Sequence, residues 1–381
     1  MPMRRKVGRS MTKKKQIGMA VTVMTAAYMI PFGAAKILYD KVFNKRVEIR
    51  KEPMAVKYED FHTMDRQAAL FPSNRGQRLK GYFYYPKGGF GPFEHVRGCI
   101  VLSPGIFQGH TDYLYDVERF VKEGFCVFGF DNTGCMESGG RGLLGLEQAV
   151  IDLHYALEFL ESRKGRGELP ILLYGHSMGG YAVAAVLHYD HKVDGIVSRS
   201  GFSDPTEMLC LGGKKIYGNK ILWMLPFLRL YRRLLFWKYP LYGGIEGILK
   251  RNIPAFILHS EDDPIVDLSC SLWKHCQERK TENVKTYLCR HKGHDIVRSD
   301  KALAYFQKML EKWGRIMGQY RKEKNIPQKV KREFLNSIDM KQYHVHDEKM
   351  MERIVCFFIQ CTGGRKDAHS ENESGIRRDA V

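Results

Sequence analysis

The sequence lacks the cysteine spacing of a disulfide framework or a zinc site. Its nine cysteines are an odd number and do not occur in metal-type pairs. Several of them, including Cys99, Cys126 and Cys289, lie in apolar segments, where a thiol packs as a small buried hydrophobic group. We therefore expect no metal at these cysteines, and they do not indicate the redox compartment.

The chain is also poor in acidic residues relative to basic ones. It has 42 Asp and Glu against 61 Lys and Arg, which gives a formal net charge of +19 at pH 7, and such a charge favours anionic surfaces. The basic residues are spread over several regions, and no nucleic-acid-binding motif accompanies them. We therefore expect no nucleic-acid partner, and anionic lipid or cell-envelope polymer is the better candidate.

A dense basic cluster near the N-terminus precedes a stretch that carries no charge up to Ala35. About 19 helical residues can just cross a bilayer core. We expect a basic cytoplasmic N-terminus at 1–16, a transmembrane signal anchor at 17–39 and a linker at 40–54, which would place the following domain outside the cytoplasm. A cleaved signal peptide, giving a secreted protein, and an interfacial or buried helix are the alternatives.

The remaining chain, residues 55–362, predicts one α/β domain, because apolar strand-like runs alternate with helical segments at the spacing of βαβ units. Runs without polar alternation are typical of strands buried on both faces of a parallel sheet. The expected strands are 69–72, 79–85, 98–102, 126–130, 171–174, 195–198, 255–259 and 284–288. Residues 204–251, rich in Leu, Trp and Arg, interrupt this alternation of strands and helices and predict a helical cap. The polar segment 363–381 is expected to be disordered.

One short motif in this domain predicts a nucleophile. The pentapeptide Gly-His-Ser-Met-Gly at 175–179 lies between an apolar run and a helical stretch of small residues. In a nucleophile elbow the serine sits on a tight strand-to-helix turn, and the flanking glycines avoid collisions with neighbouring backbone. The Oγ of Ser177 would then be held out of the sheet, and the N–H of Met178 would point to where an oxyanion forms.

A serine hydroxyl needs a base within hydrogen-bond reach and a carboxylate that orients the base. In such folds these groups follow in the order serine, acid, histidine, each on a loop after a strand. The strand at 255–259 leads to Asp262 and Asp263, and the strand at 284–288 leads to His291 and His294. The order is as required, and each loop offers two candidates.

Taken together, these residues resemble the α/β-hydrolase superfamily over about residues 57–361, in particular its capped bacterial serine hydrolases. That group contains esterases, lipases, monoacylglycerol lipase-like enzymes and aminopeptidase-like members. The motifs that carry the resemblance are 175–180, Asp131-Asn132-Thr133-Gly134 with Ser138, Asp263 before Pro264-Ile265-Val266, and Gly293-His294.

The resemblance implies that Ser177 is the nucleophile, Asp263 the orienting acid and His294 the base, with Asp262 and His291 as rivals. It also implies an oxyanion hole formed by the N–H groups of Met178 and Ile106. The loop before Ile106 departs from the family, since Pro104-Gly105-Ile106 stands where His-Gly is usual.

The implied reaction is hydrolysis of a carboxylic ester through an acyl-enzyme, which requires no metal or organic cofactor. The apolar cap favours a lipid or other acyl ester as the small-molecule substrate. The same triad would serve a peptidase, a thioesterase or an acyltransferase, and a non-catalytic binding protein with this fold is a separate alternative. The oligomeric state stays open.

Overall fold

The computed structural model describes residues 13–49, 55–279, 281–320 and 322–363, with residues 13–27 as backbone only. The predicted basic segment up to residue 12 and the predicted disordered tail from residue 364 lie outside the described residues.

Eight strands of the described chain form one sheet in the order β1-β2-β4-β3-β5-β6-β7-β8. The pairs β1–β2 and β2–β4 are antiparallel, and all other neighbours are parallel. The strands are β1 Met64–Pro72, β2 Arg78–Pro86, β3 Cys99–Ser103, β4 Cys126–Phe130, β5 Ile171–His176, β6 Gly195–Arg199, β7 Ala255–Ser260 and β8 Val284–Cys289. The predicted fold class, a mostly parallel sheet flanked by helices, is confirmed.

The central strands are buried on both faces, which explains their unbroken apolar sequences. Every residue of β3, β4 and β5 is buried. Successive residues of a strand point to opposite faces, and accordingly Val101 and Leu173 join one hydrophobic cluster while Ile100 and Leu172 join the other. Helices cover both faces, so neither cluster meets water.

Twelve α-helices lie within the described residues, and several shorter turns are 3-10 helices. The α-helices are α1 Lys13–Phe43, α2 Leu114–Lys122, α3 Leu146–Glu161, α4 Met178–Ala185, α5 Pro205–Tyr217, α6 Leu225–Leu235, α7 Gly244–Arg251, α8 Leu272–Glu278, α9 Asp300–Tyr320, α10 Gln328–Asn336, α11 Met340–Tyr343 and α12 Glu348–Cys361. Residues of α3, α4 and α7 belong to the first hydrophobic cluster, and residues of α2 and α12 belong to the second.

The segment between β6 and β7 is the predicted helical insertion. It contains α5, a 3-10 helix at Gly218–Met224, α6 and α7. Helix α5 begins at an Asp204 cap, whose side chain accepts a hydrogen bond of 2.6 Å from the Thr206 N–H, and Pro205 occupies the first turn. Both features are typical of helix N-termini.

The predicted transmembrane anchor at 17–39 is wrong. Helix α1 runs through this segment, and among the described residues no helix is long and apolar enough to cross a membrane. The last turns of α1 are instead part of the protein core, since Ala35, Tyr39 and Phe43 are 0%, 2% and 3% exposed. The predictions of a single-pass membrane topology and of attachment to a membrane through this helix are therefore wrong as well.

The start of the predicted linker also differs. Residues 40–43 are the end of α1, and Val47 pairs with the loop after β4 through two backbone hydrogen bonds, Val47 N to Gly134 O at 2.9 Å and Met136 N to Val47 O at 2.8 Å. An uncharged segment that is barely long enough to cross a membrane looks the same in the sequence whether it is buried in lipid or in protein. Its sequence alone therefore does not distinguish a membrane anchor from a buried helix.

Candidate active site

Ser177 occupies a strained turn between β5 and α4. Its φ of 55° and ψ of −114° are unusual for a residue with a side chain. The turn is tight: a Cβ on Gly175 would collide with the backbone of Gly179, and a Cβ on Gly179 would collide with the carbonyl of Ser103. The Ser177 N–H donates to the carbonyl of Arg199 at 2.9 Å, which fixes the turn to the end of β6. This is the geometry of a nucleophile elbow.

The loops after β7 and β8 bring an acid and a histidine together. His294 Nδ1 lies 2.8 Å from Asp263 Oδ2, and the Asp263 side chain is fully buried. The other carboxylate oxygen, Oδ1, accepts the N–H groups of Ile265 at 2.8 Å and Val266 at 3.0 Å. With Nδ1 bonded to the carboxylate, Nε2 is the imidazole nitrogen available for proton transfer.

The rival residues do not form such a pair. Asp262 is exposed, and its Oδ1 accepts hydrogen bonds from Ser260 Oγ at 2.6 Å and from the Gly293 N–H at 3.1 Å, so it braces the loop. His291 is exposed and adopts a positive φ of 58°. The structure therefore brings Asp263 and His294 together and leaves Asp262 and His291 at the surface.

The backbone of His294 is held beside the elbow. Its carbonyl accepts a hydrogen bond from Ser200 Oγ at 2.8 Å and a second from His176 Nε2 at 3.2 Å. The rings of His176 and His294 lie 4.8 Å apart. Burial lowers the pKa of His176 well below its usual range, and nearby Arg199 and His294 lower it further. His176 is thus a neutral packing residue next to Ser177.

Arg199 connects the turn of Ser177 with the loop of His294 and was not among the residues predicted from the sequence. Its carbonyl accepts the Ser177 N–H, while its buried guanidinium contacts Asp295 Oδ1 at 2.8 Å and Asp116 Oδ2 at 3.1 Å. Burial alone would raise the pKa of Asp295, but Arg298 and Arg199 hold it well below its usual range. The sequence feature that could have indicated a role for Arg199 is a charged residue at the end of an otherwise apolar strand.

The predicted oxyanion donors lie at the same cavity as Ser177. Met178 is the first residue of α4, and N–H groups in the first turn of a helix have no intrahelical acceptor. Ile106 follows Gly105, whose N–H donates to the Tyr113 hydroxyl at 2.9 Å. That contact holds the Pro104-Gly105-Ile106 loop in place, although the family's usual histidine is missing.

Comparison with known proteins gives one family and several distant relatives. Residues 94–238 match the family described as serine aminopeptidase, S33. The chain is 23% identical over 249 residues to the uncharacterised protein YqkD of Bacillus subtilis (strain 168), which covers 62% of this chain and 75% of that protein. It is similar in structure to the Pyrococcus furiosus esterase Pf2001, with a TM-score of 0.49 and 15% identity over 72% of this chain and 98% of the other. Est1E of Butyrivibrio proteoclasticus, solved with ferulic acid, gives a TM-score of 0.45 at 16% identity, over 65% and 97%.

The family match contains the strand, elbow and helix around Ser177, and the strand order places that segment at the centre of the parallel strands. Residues 94–238 match a family of the α/β-hydrolase superfamily, and the sheet order of the described chain agrees with that superfamily. The superfamily and the enzyme class predicted from the sequence are thereby confirmed. The matched range ends before the loops that carry Asp263 and His294, and the catalytic roles of Ser177, Asp263 and His294 and the oxyanion donors Met178 and Ile106 stay predictions.

The hydrolase has an apolar cavity of about 270 Å³ next to Ser177. Its walls come from the core of the domain, the cap and helix α1. The lining residues are Ile106, Leu146, Ser177, Met178, Phe202 and Ile265 from the core, Met208, Leu209, Gly212, Gly213, Ile216, Tyr217, Ile221 and Leu228 from the cap, and Leu38, Tyr39, Val42 and Phe43 from α1. The contribution of α1 was not predicted, since residues 17–39 were assigned to a membrane anchor and residues 40–54 to a linker.

In the part of the chain that the structure describes, no group of three or more His, Cys, Asp and Glu side chains could hold a metal ion. The groups gathered near the α/β-hydrolase elbow are a hydroxyl, a carboxylate and an imidazole. Groups of this kind can carry out nucleophilic acyl transfer with general acid and base assistance.

Proposed function

We propose that this α/β-hydrolase is a serine esterase that cleaves a carboxylic ester with an apolar acyl group through an acyl-enzyme on Ser177. The observation that carries the proposal is the 2.8 Å contact between His294 Nδ1 and Asp263 Oδ2 beside a strained serine elbow. A carboxylate on Nδ1 fixes the imidazole tautomer that can accept a proton at Nε2.

In the proposed mechanism, Ser177 Oγ attacks the ester carbonyl carbon while His294 Nε2 takes the hydroxyl proton. The oxygen of the tetrahedral intermediate receives hydrogen bonds from the N–H groups of Met178 and Ile106. The intermediate collapses when the C–O bond to the alcohol breaks and His294 protonates the departing alkoxide. Water, deprotonated by His294, then attacks the acyl-enzyme, and the acid leaves as the bond to Ser177 Oγ breaks and His294 returns the proton to that oxygen. Asp263 stabilises the imidazolium in both steps.

The cavity next to Ser177 favours an uncharged, apolar acyl group. Its lining residues carry no carboxylate and no cationic side chain. An aminopeptidase would have to recognise a charged α-amino group, and the side chains around this cavity offer it no acidic partner. The volume of about 270 Å³ is just below the roughly 300–1,000 Å³ range of small-molecule sites, which suits a short or medium acyl chain.

Fluorophosphonate labelling tests the proposed nucleophile. We expect wild type to be labelled and to hydrolyse p-nitrophenyl esters, and Ser177→Ala to lose both activities, with kcat reduced by at least about 10³-fold. Ser162→Ala, at an exposed serine, is the matched control and should behave as wild type. Equal labelling of wild type and Ser177→Ala would overturn the proposal.

The bond specificity is tested by presenting one acyl group as an ester, a thioester and an amide. The proposal requires the ester to have the highest kcat/KM relative to its uncatalysed rate. A preference for the amide, in particular one with a free α-amino group, would instead support a peptidase.

A further inference from the structure

We infer that helix α1, which precedes the hydrolase sheet in the sequence, is the wall that selects the acyl chains admitted to Ser177. The inference rests on the proposed esterase function. Leu38 and Val42 line the same cavity as Ser177 and Met178. They are four residues apart and therefore share one face of the helix. No other described segment before β1 reaches this cavity.

The position of α1 is fixed by its packing on the cap. Tyr39 is 2% exposed and meets the ring of Tyr231 of α6 edge to face, with centroids 5.5 Å apart. The Tyr231 hydroxyl donates to Asp40 Oδ1 at 2.7 Å. Phe32, two turns earlier, packs edge to face on the same ring at 6.0 Å. These contacts hold Leu38 against the cavity.

The chain that leaves α1 is attached to the core of the domain as well. The Leu144 N–H donates to the carbonyl of Phe43 at 3.1 Å, and Arg46 Nη1 donates to the carbonyl of Ser138 at 2.8 Å. A Cβ on Gly142 would lie 2.6 Å from the backbone nitrogen of Lys45, so the two backbones approach directly. Both ends of the cavity wall are therefore anchored.

A fixed apolar wall selects acyl chains by length. A methylene group that does not fit either stays outside the cavity, where it is not buried, or has to displace side chains that are already closely packed. Discrimination of one methylene in a hydrophobic pocket is commonly about 10-fold or more in kcat/KM. Shortening a side chain of the wall therefore admits longer chains, and enlarging it excludes them.

The test compares substitutions on two faces of α1 in the full-length protein. Leu38→Ala and Val42→Ala should raise the ratio of kcat/KM for p-nitrophenyl dodecanoate over p-nitrophenyl butyrate, by about 10-fold for Leu38→Ala. Leu38→Phe should lower the ratio. Ile37→Ala is the matched control, since Ile37 is 70% exposed and does not line the cavity. A ratio that is the same in all four variants would overturn the inference.

Labelling by fluorophosphonates with short and long alkyl chains separates this outcome from failure of the proposed function. If wild type shows no Ser177-dependent labelling, the esterase proposal fails and the inference fails with it. If labelling depends on Ser177 but its chain-length profile is unchanged by Leu38→Ala and Leu38→Phe, only the role of α1 is refuted. Leu38→Met, which conserves volume, should give a ratio close to that of wild type, and circular dichroism of each variant checks that it is folded.

Discussion

The Asp263 carboxylate is held at both oxygens. Oδ1 accepts two backbone N–H groups, from Ile265 and Val266, and this fixes the plane of the carboxylate so that Oδ2 meets the imidazole of His294. A buried carboxylate oriented in this way can stabilise the imidazolium that forms as the serine proton is transferred. Asp262, the adjacent acid, bonds Ser260 and the Gly293 backbone instead.

We therefore expect Asp263→Asn to reduce kcat by about 10³- to 10⁴-fold, because an amide would favour the wrong imidazole tautomer. Asp262→Asn keeps an oxygen acceptor for the Gly293 N–H and should change kcat by less than about 10-fold. Ester hydrolysis and circular dichroism of the two variants provide the measurement. Similar losses in both would refute the assignment of Asp263.

At this scale, the sequence predicts which loops carry the acid and the base, because parallel strands end at one edge of the sheet. It does not decide between neighbouring candidates, since a shift of one residue in a loop exchanges a buried side chain for an exposed one. Arg199 illustrates a second limit. Its partner Asp295 is 96 residues away, so no local pattern relates the two.

Among the helices, a buried ion pair connects the cap to the core. Glu147, in the first turn of α3, accepts a hydrogen bond from Arg232 Nε of α6 at 2.8 Å, and both side chains are 4% exposed. Arg232 Nη1 also donates to Thr206 Oγ1 of α5 at 2.9 Å. One guanidinium thus joins two cap helices to the N-terminus of a core helix.

Removing one partner of a buried ion pair leaves an uncompensated charge and typically costs about 3–5 kcal/mol. Arg232→Met should therefore destabilise the protein by about this amount and accelerate hydrogen exchange in α5 and α6. Arg233→Met, the same substitution at the exposed neighbouring position, should change stability by no more than about 0.5 kcal/mol. Equal free energies of unfolding in urea for the two variants would show that the pair does not hold the cap.

The elements that the sequence predicts best are the buried strands, because their short, unbroken apolar runs are typical of strands that are covered on both faces of a parallel sheet. Charged segments are harder to interpret. The charged residues 325–342 show no clear apolar periodicity, yet they contain α10 and most of α11, and Phe334 of α10 packs on Trp313 of α9 with ring centroids 4.9 Å apart. Few apolar residues suffice for a surface helix that is charged on its other faces. Helix α1 shows the opposite error, because Ala35, Tyr39 and Phe43 in its last turns are buried in the protein core.

Over the whole molecule, several histidines are neutral in the folded state. Burial lowers the pKa of His176 and His259 below the usual range of histidine. Burial and the neighbouring His191 lower the pKa of His154 to about 4. Burial and Arg298 lower the pKa of His344 to about 3, although Asp295 and Asp116 act in the opposite sense and His346 adds to the lowering.

These shifts predict how stability depends on pH. An imidazole with a lowered pKa binds fewer protons in the folded than in the unfolded state, so its contribution to stability is complete above about pH 6.5 and decreases as the pH falls towards the folded pKa. Burial would raise the pKa of Asp116, but Arg199 and His346 lower it to about 2, and its contribution is lost only below about pH 4. The free energy of unfolding should therefore decline continuously from about pH 6.5 downwards.

The contribution of one histidine can be measured with a substitution that keeps its packing. The ring of His344 stacks on Tyr115 with centroids 4.7 Å apart and an interplanar angle of 8°. His344→Phe preserves an aromatic stack but removes the proton that the unfolded chain binds. Between about pH 6 and 4, urea unfolding should show a pH slope shallower than that of wild type by up to about 1.4 kcal/mol per pH unit. His62→Phe, at an exposed histidine, is the matched control. A wild-type slope in His344→Phe would mean that His344 takes up its proton equally in both states, and the decline would then have to come from the other buried histidines.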